Sequence, residues 1–460
     1  MNNSQPQVPA AAAQRLAARI TQALTAPPVA APDSRLLRVE VPLADTKPLD
    51  WLRAQPRFTQ YYWSSRDDAF EMAGVGEADV LLPAGPLDFQ KLFAHMRRAL
   101  PPHPPSLRYY GGFRFHTGHV KGERWKAFKE FRFVVPRFEV LRRRTGVFLA
   151  CNAKRAHPRT NQETLDNLLA DLAALQFPGA PPDPAVPPLR SREDLPDRAA
   201  WDALIGRTLD AFGHDFQKVV LARESSFTFE APLDPVALLA RLTRHTAPSF
   251  EFCFHPVEDR AFIGASPERL FKRTNCYLQS EAIAGTRPRG TTDGADKALG
   301  QALLDSDKDR REHRFVVQTL EEHFQHFCRH LLTPPDPSLM RLRNCQHLYT
   351  PLEGLLRHTC ADATLLQALH PTPAVGGCPR DPALRWIEAE EPFDRGIYAA
   401  PVGWVGHDAA EFCVAIRSGL IRGNQLALYT GAGIVPGSTP QEEWDEIENK
   451  MTIFLDALAP

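Results

Sequence analysis

The chain has 460 residues, and its 54 lysines and arginines nearly balance its 55 aspartates and glutamates, which leaves a formal net charge of −1. This balance argues against a dedicated nucleic-acid-binding protein, because such a protein needs excess positive charge to displace counterions from phosphates. Hydrophobic residues make up 43% of the chain, which is ordinary for a globular protein and excludes an acidic disordered scaffold. No run approaches the ~20 apolar residues that a membrane helix needs. We therefore expect neither a nucleic acid nor a membrane as a partner.

Residues 1–34 are rich in alanine and proline, and we expect a flexible N-terminal segment there. Leu16, Ile20 and Leu24 are four residues apart, so part of the segment could form an amphipathic helix that lies on the body of the protein. An organelle transit peptide is the alternative, because the segment is nearly free of acidic side chains.

The eight cysteines are scattered, with no Cys-x-x-Cys pair and no cluster with histidine at the spacing of a zinc site. This usage is typical of buried free thiols in a reducing compartment. We therefore expect a cytoplasmic protein.

Residues 35–176 are predicted to form a β-rich N-terminal half. Their β-branched and aromatic runs, such as LLRVEVPL and FRFVVPRFEVLRR, are bounded by proline, glycine and aspartate, which is typical of antiparallel strands. A proline-rich stretch over 177–195 follows, and we interpret it as a linker or loop because proline lacks the backbone N–H that helices and central strands use.

Residues 196–460 alternate helices with pairs of strands and are predicted to form a C-terminal region. We expect a long helix over 296–331 and a last helix that begins at Pro440, where Thr439 and Glu442 form a capping box. The pattern indicates an α+β fold, with large antiparallel sheets packed as a sandwich and helices outside.

Two of these helices place carboxylates beside their apolar faces. Glu312 extends the stripe that includes Val316, and Glu443 and Glu446 lie along the edge of the stripe on the last helix. A buried carboxylate is costly unless a cation or a proton accompanies it. A solvated charge run and an ordinary surface pair of Glu446 with Lys450 are the alternatives. Two helices that each offer a carboxylate would suit Mg²⁺, which uses few protein ligands.

Three residues of the strand regions carry possible chemistry. Lys218 shares a strand face with apolar neighbours, so it either snorkels to solvent or is desolvated, and a desolvated amine can act as a base. Glu268 follows a proline at a probable strand end, where it is either a turn carboxylate or an acid with a raised pKa. Arg417 emerges from an apolar strand beside Cys413 and Ala415 and suits a bidentate clamp on a carboxylate.

The segment YTGAGIVPGS carries glycines at 431, 433 and 437, and this spacing does not match the G-x-G-x-x-G fingerprint of dinucleotide-binding proteins. A loop whose backbone N–H groups approach a ligand remains an alternative to a plain turn.

Ten strings in the C-terminal region together resemble the chorismate-utilising enzymes, the family of anthranilate synthase component I, and within it the isochorismate synthases. They are KVVLAR (218–223), GASPERL (264–270), EAIAGTRPRG (281–290), REH (311–313), CQHLYT (345–350), HPTPAVGG (370–377), RGIYAAPVGW (395–404), AIRSGL (415–420), YTGAGIVPGS (429–438) and EEWDEIENK (442–450). The N-terminal string WLRAQPRFTQYYWSSRDDAFEMAGVG resembles the menaquinone-pathway branch.

The resemblance implies that residues 196–460 are the chorismate-binding catalytic region. It implies an isomerase that converts chorismate to isochorismate by adding water at C2 while the C4 hydroxyl leaves. It implies Lys218 as the general base that activates water and Glu268 as the general acid that protonates the departing hydroxyl. It further implies Mg²⁺ held by Glu312 and Glu446, with Asp309 and Glu443 supporting it through bound water.

For the substrate, the resemblance implies that Arg417 and Tyr398 clamp the enolpyruvyl carboxylate. The amine-adding relatives usually carry threonine at the position of Ala374, so alanine favours water as the nucleophile. The implied substrate-binding residues are Gly285, Thr286, His347, Ala374, Tyr398, Arg417, Gly431, Gly433 and Lys450.

Alternatives within the family are a salicylate synthase, which goes on to eliminate pyruvate from isochorismate, and an isochorismate synthase of a siderophore pathway. A non-catalytic binder that uses the helix DSDKDRREHRF is an alternative from another class. The chain carries no visible glutaminase module, so we expect no glutaminase subunit. We separately expect a monomer or weak homodimer.

Overall fold

The computed structural model describes residues 9–25, 36–55, 59–67, 69–102, 106–116, 123–154, 161–177, 179, 184–213, 216–246, 248–343, 345–357 and 361–459. The helices are α1 (Pro9–Thr25), α2 (Pro48–Arg53), α3 (Phe89–Ala99), α4 (Asn161–Ala174), α5 (Arg198–Asp210), α6 (Pro235–His245), α7 (Asp293–Asp305), α8 (Asp307–Phe327), α9 (Asp362–Leu369), α10 (Arg380–Glu390) and α11 (Pro440–Leu458). Within the described ranges, no helix combines the length and the apolar character needed to cross a membrane.

The N-terminal strands are β1 (Leu36–Leu43), β2 (Gln60–Ser64), β3 (Phe70–Leu81), β4 (Tyr109–Phe113), β5 (Phe131–Arg143), β6 (Gly146–Lys154) and β7 (Leu189–Leu195). The next strands are β8 (Lys218–Phe229), β9 (Phe250–Val257), β10 (Arg260–Ser266), β11 (Arg269–Thr274), β12 (Tyr277–Pro288), β13 (Cys328–Leu332) and β14 (Ser338–Arg341). The last are β15 (Cys345–Leu356), β16 (Gly377–Cys378), β17 (Pro401–Val405), β18 (Ala409–Val414), β19 (Ser418–Arg422) and β20 (Gln425–Ile434).

The strand pairings form two arms that both begin at β5. One arm runs through β3, β2, β9, β10, β19, β20 and β8, and the other runs through β4, β17, β18, β11, β12 and β15. Tyr61 and Phe254 of the first arm line a small cavity together with Tyr110 and Val402 of the second, so the arms pack against each other there. The predicted α+β fold, with antiparallel sheets packed as a sandwich, is confirmed.

The chain passes between the arms at two neighbouring points, from β10 to β11 and from β18 back to β19. Three hydrogen bonds tie these crossings together. The N–H of Ala265 donates to the carbonyl of Arg417 at 3.0 Å, and the N–H of Val414 donates to the carbonyl of Glu268 at 3.0 Å. The hydroxyl of Ser266 donates to the carbonyl of Val414 at 2.6 Å. The crossings therefore hold residues 268 and 417 side by side.

The prediction of a flexible segment over 1–34 is wrong for α1, which packs on β1 and α4. Its buried residues are Ala12, Leu16, Ile20 and Leu24. Apolar side chains four residues apart form a stripe along one helix face, and burying that stripe orders the helix. The amphipathic-helix interpretation is therefore confirmed, while residues 1–8 and 26–35 lie outside the described ranges.

Two predicted boundaries need correction. Residues 189–195 of the predicted linker form β7, which pairs with β8, because the prolines end at Pro188 and this edge strand keeps its N–H groups. The long helix predicted over 296–331 is two helices, because Ser306 ends α7 and its hydroxyl caps α8 by accepting the N–H of Asp309 at 3.3 Å. Residues 178 and 180–183 of the linker lie outside the described ranges, and the division at 176 and 196 stays a prediction.

The seven described cysteines are free thiols, as expected. Five of them are buried, but Cys276 is exposed because it lies in the turn between β11 and β12.

The contact of β4 with β17 joins the N-terminal half to the catalytic region and places Gly111 opposite Gly403. A Cβ at Gly403 would lie 1.9 Å from the carbonyl oxygen of Glu411 in the next strand. We expect Gly403→Ala to lower the free energy of unfolding by about 1–3 kcal/mol, measured by urea denaturation, because the strands must separate. Gly206→Ala is the control, since its Cβ would meet open space in α5 and a helical alanine is favoured by about 0.5–1 kcal/mol. Equal unfolding midpoints for the two variants would contradict this account.

Candidate active site

A cavity of about 170 Å³ is lined by β8, β12, β20, α8, α11 and the two crossings between the arms. Every residue predicted above for the site lines it. The cavity therefore unites side chains that are more than 200 positions apart in the sequence.

Lys218 stands at the first position of β8, where its strand neighbour in β16 is Cys378. Its side chain is only 2% exposed, and its Nζ lies 2.7 Å from Oε1 of Glu312 on α8. The desolvated interpretation of Lys218 is therefore supported and snorkelling is excluded. The sequence did not predict that Glu312 would be its partner.

Glu268 lies in the crossing from β10 to β11 and is 5% exposed. Burial raises its pKa to about 8, and the nearby Glu281 carboxylate adds to the shift, while Lys218 and Lys450 oppose it. At neutral pH the side chain is therefore mostly protonated and can give up a proton. This agrees with the interpretation of Glu268 as an acid with a raised pKa.

The acidic residues of α11 face the same cavity. The ammonium of Lys450 lies 2.5 Å from Oε1 of Glu446 and, although burial opposes the effect, it lowers the pKa of Glu446. Burial and the charge of Glu446 raise the pKa of Glu443 to about 7. The pair of Glu446 with Lys450 is thus real, but it lines the cavity and is not an ordinary surface pair.

The chemistry of these donors fits a hard cation. Glu312 and Glu446 bring carboxylate oxygens to one cavity from two helices, and Asp309 and Glu443 line the same cavity. Among the described residues, no three histidine, cysteine or acidic side chains form a cluster that could hold a metal alone. Mg²⁺ does not require one, since it keeps several waters and binds through one or two carboxylates.

The prediction that Arg417 stands on a strand face is wrong. β18 ends at Val414, and Arg417 lies in the crossing with a φ of +51°, a left-handed conformation that is costly for a residue with a Cβ. Its Nη1 donates to the carbonyl of Lys450 at 2.8 Å. The strained backbone turns the guanidinium toward α11 and the cavity.

Two glycines of β20 leave room in the cavity wall. A Cβ at Gly431 would lie 2.9 Å from the hydroxyl of Tyr398, and one at Gly433 would lie 3.3 Å from Oε1 of Glu312. The Tyr398 ring stacks on Tyr429 with 5.7 Å between centroids. Side chains at 431 and 433 would therefore press against the groups that surround the cavity.

His347 on β15 is fixed by the neighbouring strand β12. Its Nδ1 lies 3.2 Å from the carbonyl oxygen of Gly285 and 3.1 Å from Oγ1 of Thr286. Because a carbonyl only accepts, Nδ1 carries the hydrogen. Gly285 has a φ of +73° at an irregularity in the ladder, which glycine adopts without strain.

Sequence reasoning missed Arg287 and Lys308, which also line the cavity. Arg287 donates to Asp309, with 2.7 Å between Nη2 and Oδ2, so the supporting carboxylate has a cation of its own. The signal for Arg287 was its place beside Thr286 in EAIAGTRPRG. Sequence reasoning also missed Cys345, which contacts the cavity residues His347 and Arg417 but does not itself line the cavity. Its Sγ lies 3.3 Å from Nε2 of His347, which lowers the pKa of the thiol to about 6 although burial opposes this.

Comparisons with known proteins show what the whole chain is similar to. Residues 21–459 match the family described as chorismate binding enzyme. Isochorismate synthase 2, chloroplastic, of Arabidopsis thaliana is 34% identical over 98% of this chain and 85% of the plant protein. A salicylate biosynthesis isochorismate synthase of Pseudomonas aeruginosa is 36% identical over 77% of this chain and 75% of that protein. The solved structure of the menaquinone-specific isochorismate synthase of Escherichia coli has a TM-score of 0.84 at 29% identity, covering 97% of this chain and 99% of that one.

The raised pKa of Glu268 predicts a pH-dependent contribution to stability. The folded protein holds this proton up to about pH 8, whereas the unfolded chain releases it near the ordinary value of 4.5, so stability is lost as the pH rises between them. We expect Glu268→Gln to gain stability relative to the wild type between pH 5 and pH 8.5 in urea denaturation. Glu163→Gln, at an exposed position of α4, is the control. A difference between Glu268→Gln and the wild type that does not change with pH would contradict the assignment.

Proposed function

Because the chain belongs to the chorismate-binding enzyme family, we propose that it is an isochorismate synthase, an isomerase that converts chorismate to isochorismate. The observation that best supports this proposal is that Lys218 and Glu268 face one cavity, the first as a buried amine and the second with a pKa of about 8. Exchange of one hydroxyl for another needs a group that takes a proton from water and a group that gives one to the departing oxygen.

In the proposed reaction, the Lys218 amine accepts a proton from water as the water oxygen bonds to C2 of chorismate. The ring double bond shifts, the bond from C4 to its hydroxyl oxygen breaks, and the Glu268 carboxyl protonates that oxygen, so one water enters and one leaves. A lysine accepts a proton only as the free amine, so Lys218, which pairs with Glu312 in the structure, has to lose one ammonium proton to solvent before this step. The proton then returns from Lys218 to Glu268 through solvent.

Binding of the substrate dianion relies on the cations of the cavity. We assign Arg417 and Tyr398 to the enolpyruvyl carboxylate, because a guanidinium offers two parallel donors to such a group. Gly431 and Gly433 leave the space beside Tyr398 and Lys218 that the substrate needs. The other residues assigned to the cavity wall are Gly285, Thr286, His347, Ala374 and Lys450.

We assign Glu312 and Glu446 as the residues that would hold Mg²⁺, with Asp309 and Glu443 supporting it through water. The bound ion would supply positive charge against the ring carboxylate of chorismate. In the structure, Lys218 pairs with Glu312 and Lys450 pairs with Glu446, so each of these two carboxylates has a lysine as its partner.

A role in menaquinone biosynthesis is the pathway we favour. It is supported by the sequence similarity to the isochorismate synthase MenF of Escherichia coli, of which the aligned part of this chain covers 93%. The salicylate-related protein of Pseudomonas aeruginosa is covered to 75%. We further propose that the protein acts in the cytoplasm without a glutaminase subunit, as a monomer or weak homodimer.

The direct test is to incubate purified protein with chorismate, with and without Mg²⁺, and to separate the products by chromatography. Isochorismate without salicylate or pyruvate supports the proposal. Salicylate with an equal amount of pyruvate would identify a salicylate synthase, and unchanged chorismate would contradict both functions.

Lys218→Ala tests the base. We expect kcat to fall by about 10²- to 10⁴-fold, because water is no longer deprotonated as it attacks. Calorimetry should still detect chorismate binding. Lys91→Ala, on the exposed face of α3, should leave kcat unchanged. A Lys218→Ala variant with nearly wild-type turnover would refute the assignment.

Glu312→Gln tests the metal ligand. We expect the Mg²⁺ concentration for half-maximal activity to rise at least about tenfold, because a neutral amide is a weaker ligand for a hard cation. Asp445→Asn, an exposed position adjacent to Glu446 on α11, is the control. An unchanged Mg²⁺ titration for Glu312→Gln would remove this residue from the ligand set.

A further inference from the structure

The carboxylate of Glu281, which lies outside the cavity, binds the backbone of Arg269, the residue that follows Glu268. The side chain of Glu281 on β12 is 1% exposed, and its Oε1 accepts the backbone N–H of Arg269 at 2.6 Å. Arg269 is the first residue of β11. The start of that strand is therefore fixed by an acidic side chain that does not itself line the cavity.

An arginine from the N-terminal half completes this arrangement. Arg66 lies between β2 and β3, and its Nη1 and Nη2 donate to Oε1 and Oε2 of Glu281 at 2.7 and 2.6 Å. The same Nη1 also donates to the carbonyl of Pro267. Arg66 thus contacts the residue before Glu268 directly and holds the residue after it through Glu281.

This contact has an electrostatic consequence for Glu268. After burial, the charge of Glu281 is the next cause of the raised pKa of Glu268. The two parallel hydrogen bonds from Arg66 balance that charge, and only a planar guanidinium can make both of them while it also reaches the Pro267 carbonyl.

We propose that Arg66 is a positioning residue for Glu268, which fixes the backbone on both sides of the acid and balances the carboxylate behind it. The inference rests on the proposed function, since that function assigns the acid role to Glu268. It also gives the N-terminal half a part in catalysis, because Arg66 reaches the catalytic region from a loop of that half.

Arg66 acts on Glu268 through Pro267, Arg269 and Glu281, and only Glu281 of these three is also among the groups that face the carboxyl. Those groups are Glu281 on β12, Lys218 on β8, Thr372 after α9, Tyr398 before β17, Cys413 on β18 and Lys450 on α11. Substitution of Arg66 therefore removes none of the groups that face the carboxyl, but it takes away the partner of Glu281 and the support of Pro267.

The test compares Arg66→Met and Arg66→Lys with the wild type. We expect Arg66→Met to lower kcat by about 10- to 100-fold through misplacement of the acid. Its KM for chorismate should stay within about threefold, because substrate contacts are retained. The alkaline limb of the kcat profile should move to higher pH, because the Glu281 charge is no longer balanced. Arg66→Lys keeps the positive charge but cannot make the two parallel hydrogen bonds to Glu281. Its kcat should therefore fall, while the alkaline limb of its kcat profile stays near that of the wild type.

Glu281→Gln provides the opposite change. It removes the negative charge near Glu268, so the alkaline limb should move to lower pH. In the double variant Arg66→Met with Glu281→Gln, the limb should not rise above the wild-type value. A limb that shifts upward in the double variant would contradict the electrostatic part of the proposal.

Arg142→Met is the matched control, because Arg142 pairs with Glu71 between β5 and β3 at 2.7 Å and does not line the cavity. We expect it to retain the wild-type kcat and pH profile. A wild-type kcat and profile in Arg66→Met would overturn the proposal, as would equal losses in Arg66→Met and Arg142→Met. If Arg66→Met does not fold, the lowered kcat expected of Arg66→Lys decides the matter, and a wild-type kcat in that variant would overturn the proposal.

A readout without turnover separates this inference from the proposed function. The readout is the pH range over which Glu268→Gln gains stability in urea denaturation. This range should lie at higher pH when Arg66→Met is also present. If Arg66→Met folds poorly, the Glu281→Gln background is used instead, and there the range should lie at lower pH. An unchanged range would overturn the inference. Failure of the wild type to convert chorismate would instead count against the proposed function.

Discussion

The paired crossing between the two sheet arms is the constraint on which the site depends. The chain enters the second arm beside Glu268 and returns to the first beside Arg417, and backbone hydrogen bonds from Ala265 and Val414 tie these passages together. The segment that carries Tyr398 joins them, because the N–H of Ala399 donates to the carbonyl of Ala415 at 2.9 Å. Backbone contacts therefore bring the segments that carry these three residues of the proposed site together.

The cavity balances charge locally, whereas the net charge of −1 describes only the whole chain. Lys218 pairs with Glu312 and Lys450 pairs with Glu446, while burial keeps Glu268 mostly protonated at neutral pH. Arg417 has no carboxylate partner among its described contacts, which are the Lys450 carbonyl and Cys345. Such a cavity can exchange its internal ion pairs for contacts with a metal ion and a small dianion, which agrees with the proposed chemistry.

Local patterns predicted much of the fold and the chemistry of the site. The spacing of Leu16 and Ile20 predicted a helix, and the strings around Lys218 and Glu268 identified residues that share the cavity. Contacts between distant segments could not be predicted, because alternation and periodicity carry no information about which elements meet. Arg66 is 215 positions from Glu281 and had no local signal. The left-handed backbone of Arg417 was missed for the same reason. The crossing between the arms imposes this conformation, whereas the residues next to Arg417 in the sequence have the pattern of a strand.

The central claim is that water adds at C2 of chorismate while the C4 hydroxyl leaves. In this claim Lys218 activates the water, and Glu268 protonates the departing hydroxyl. The most direct measurement is turnover of chorismate in water enriched in ¹⁸O, followed by mass spectrometry of isochorismate and location of the label. The account predicts one ¹⁸O atom per product molecule, in the hydroxyl at C2. Isochorismate without label would show that the original hydroxyl moves across the ring, and it would contradict the roles assigned to Lys218 and Glu268.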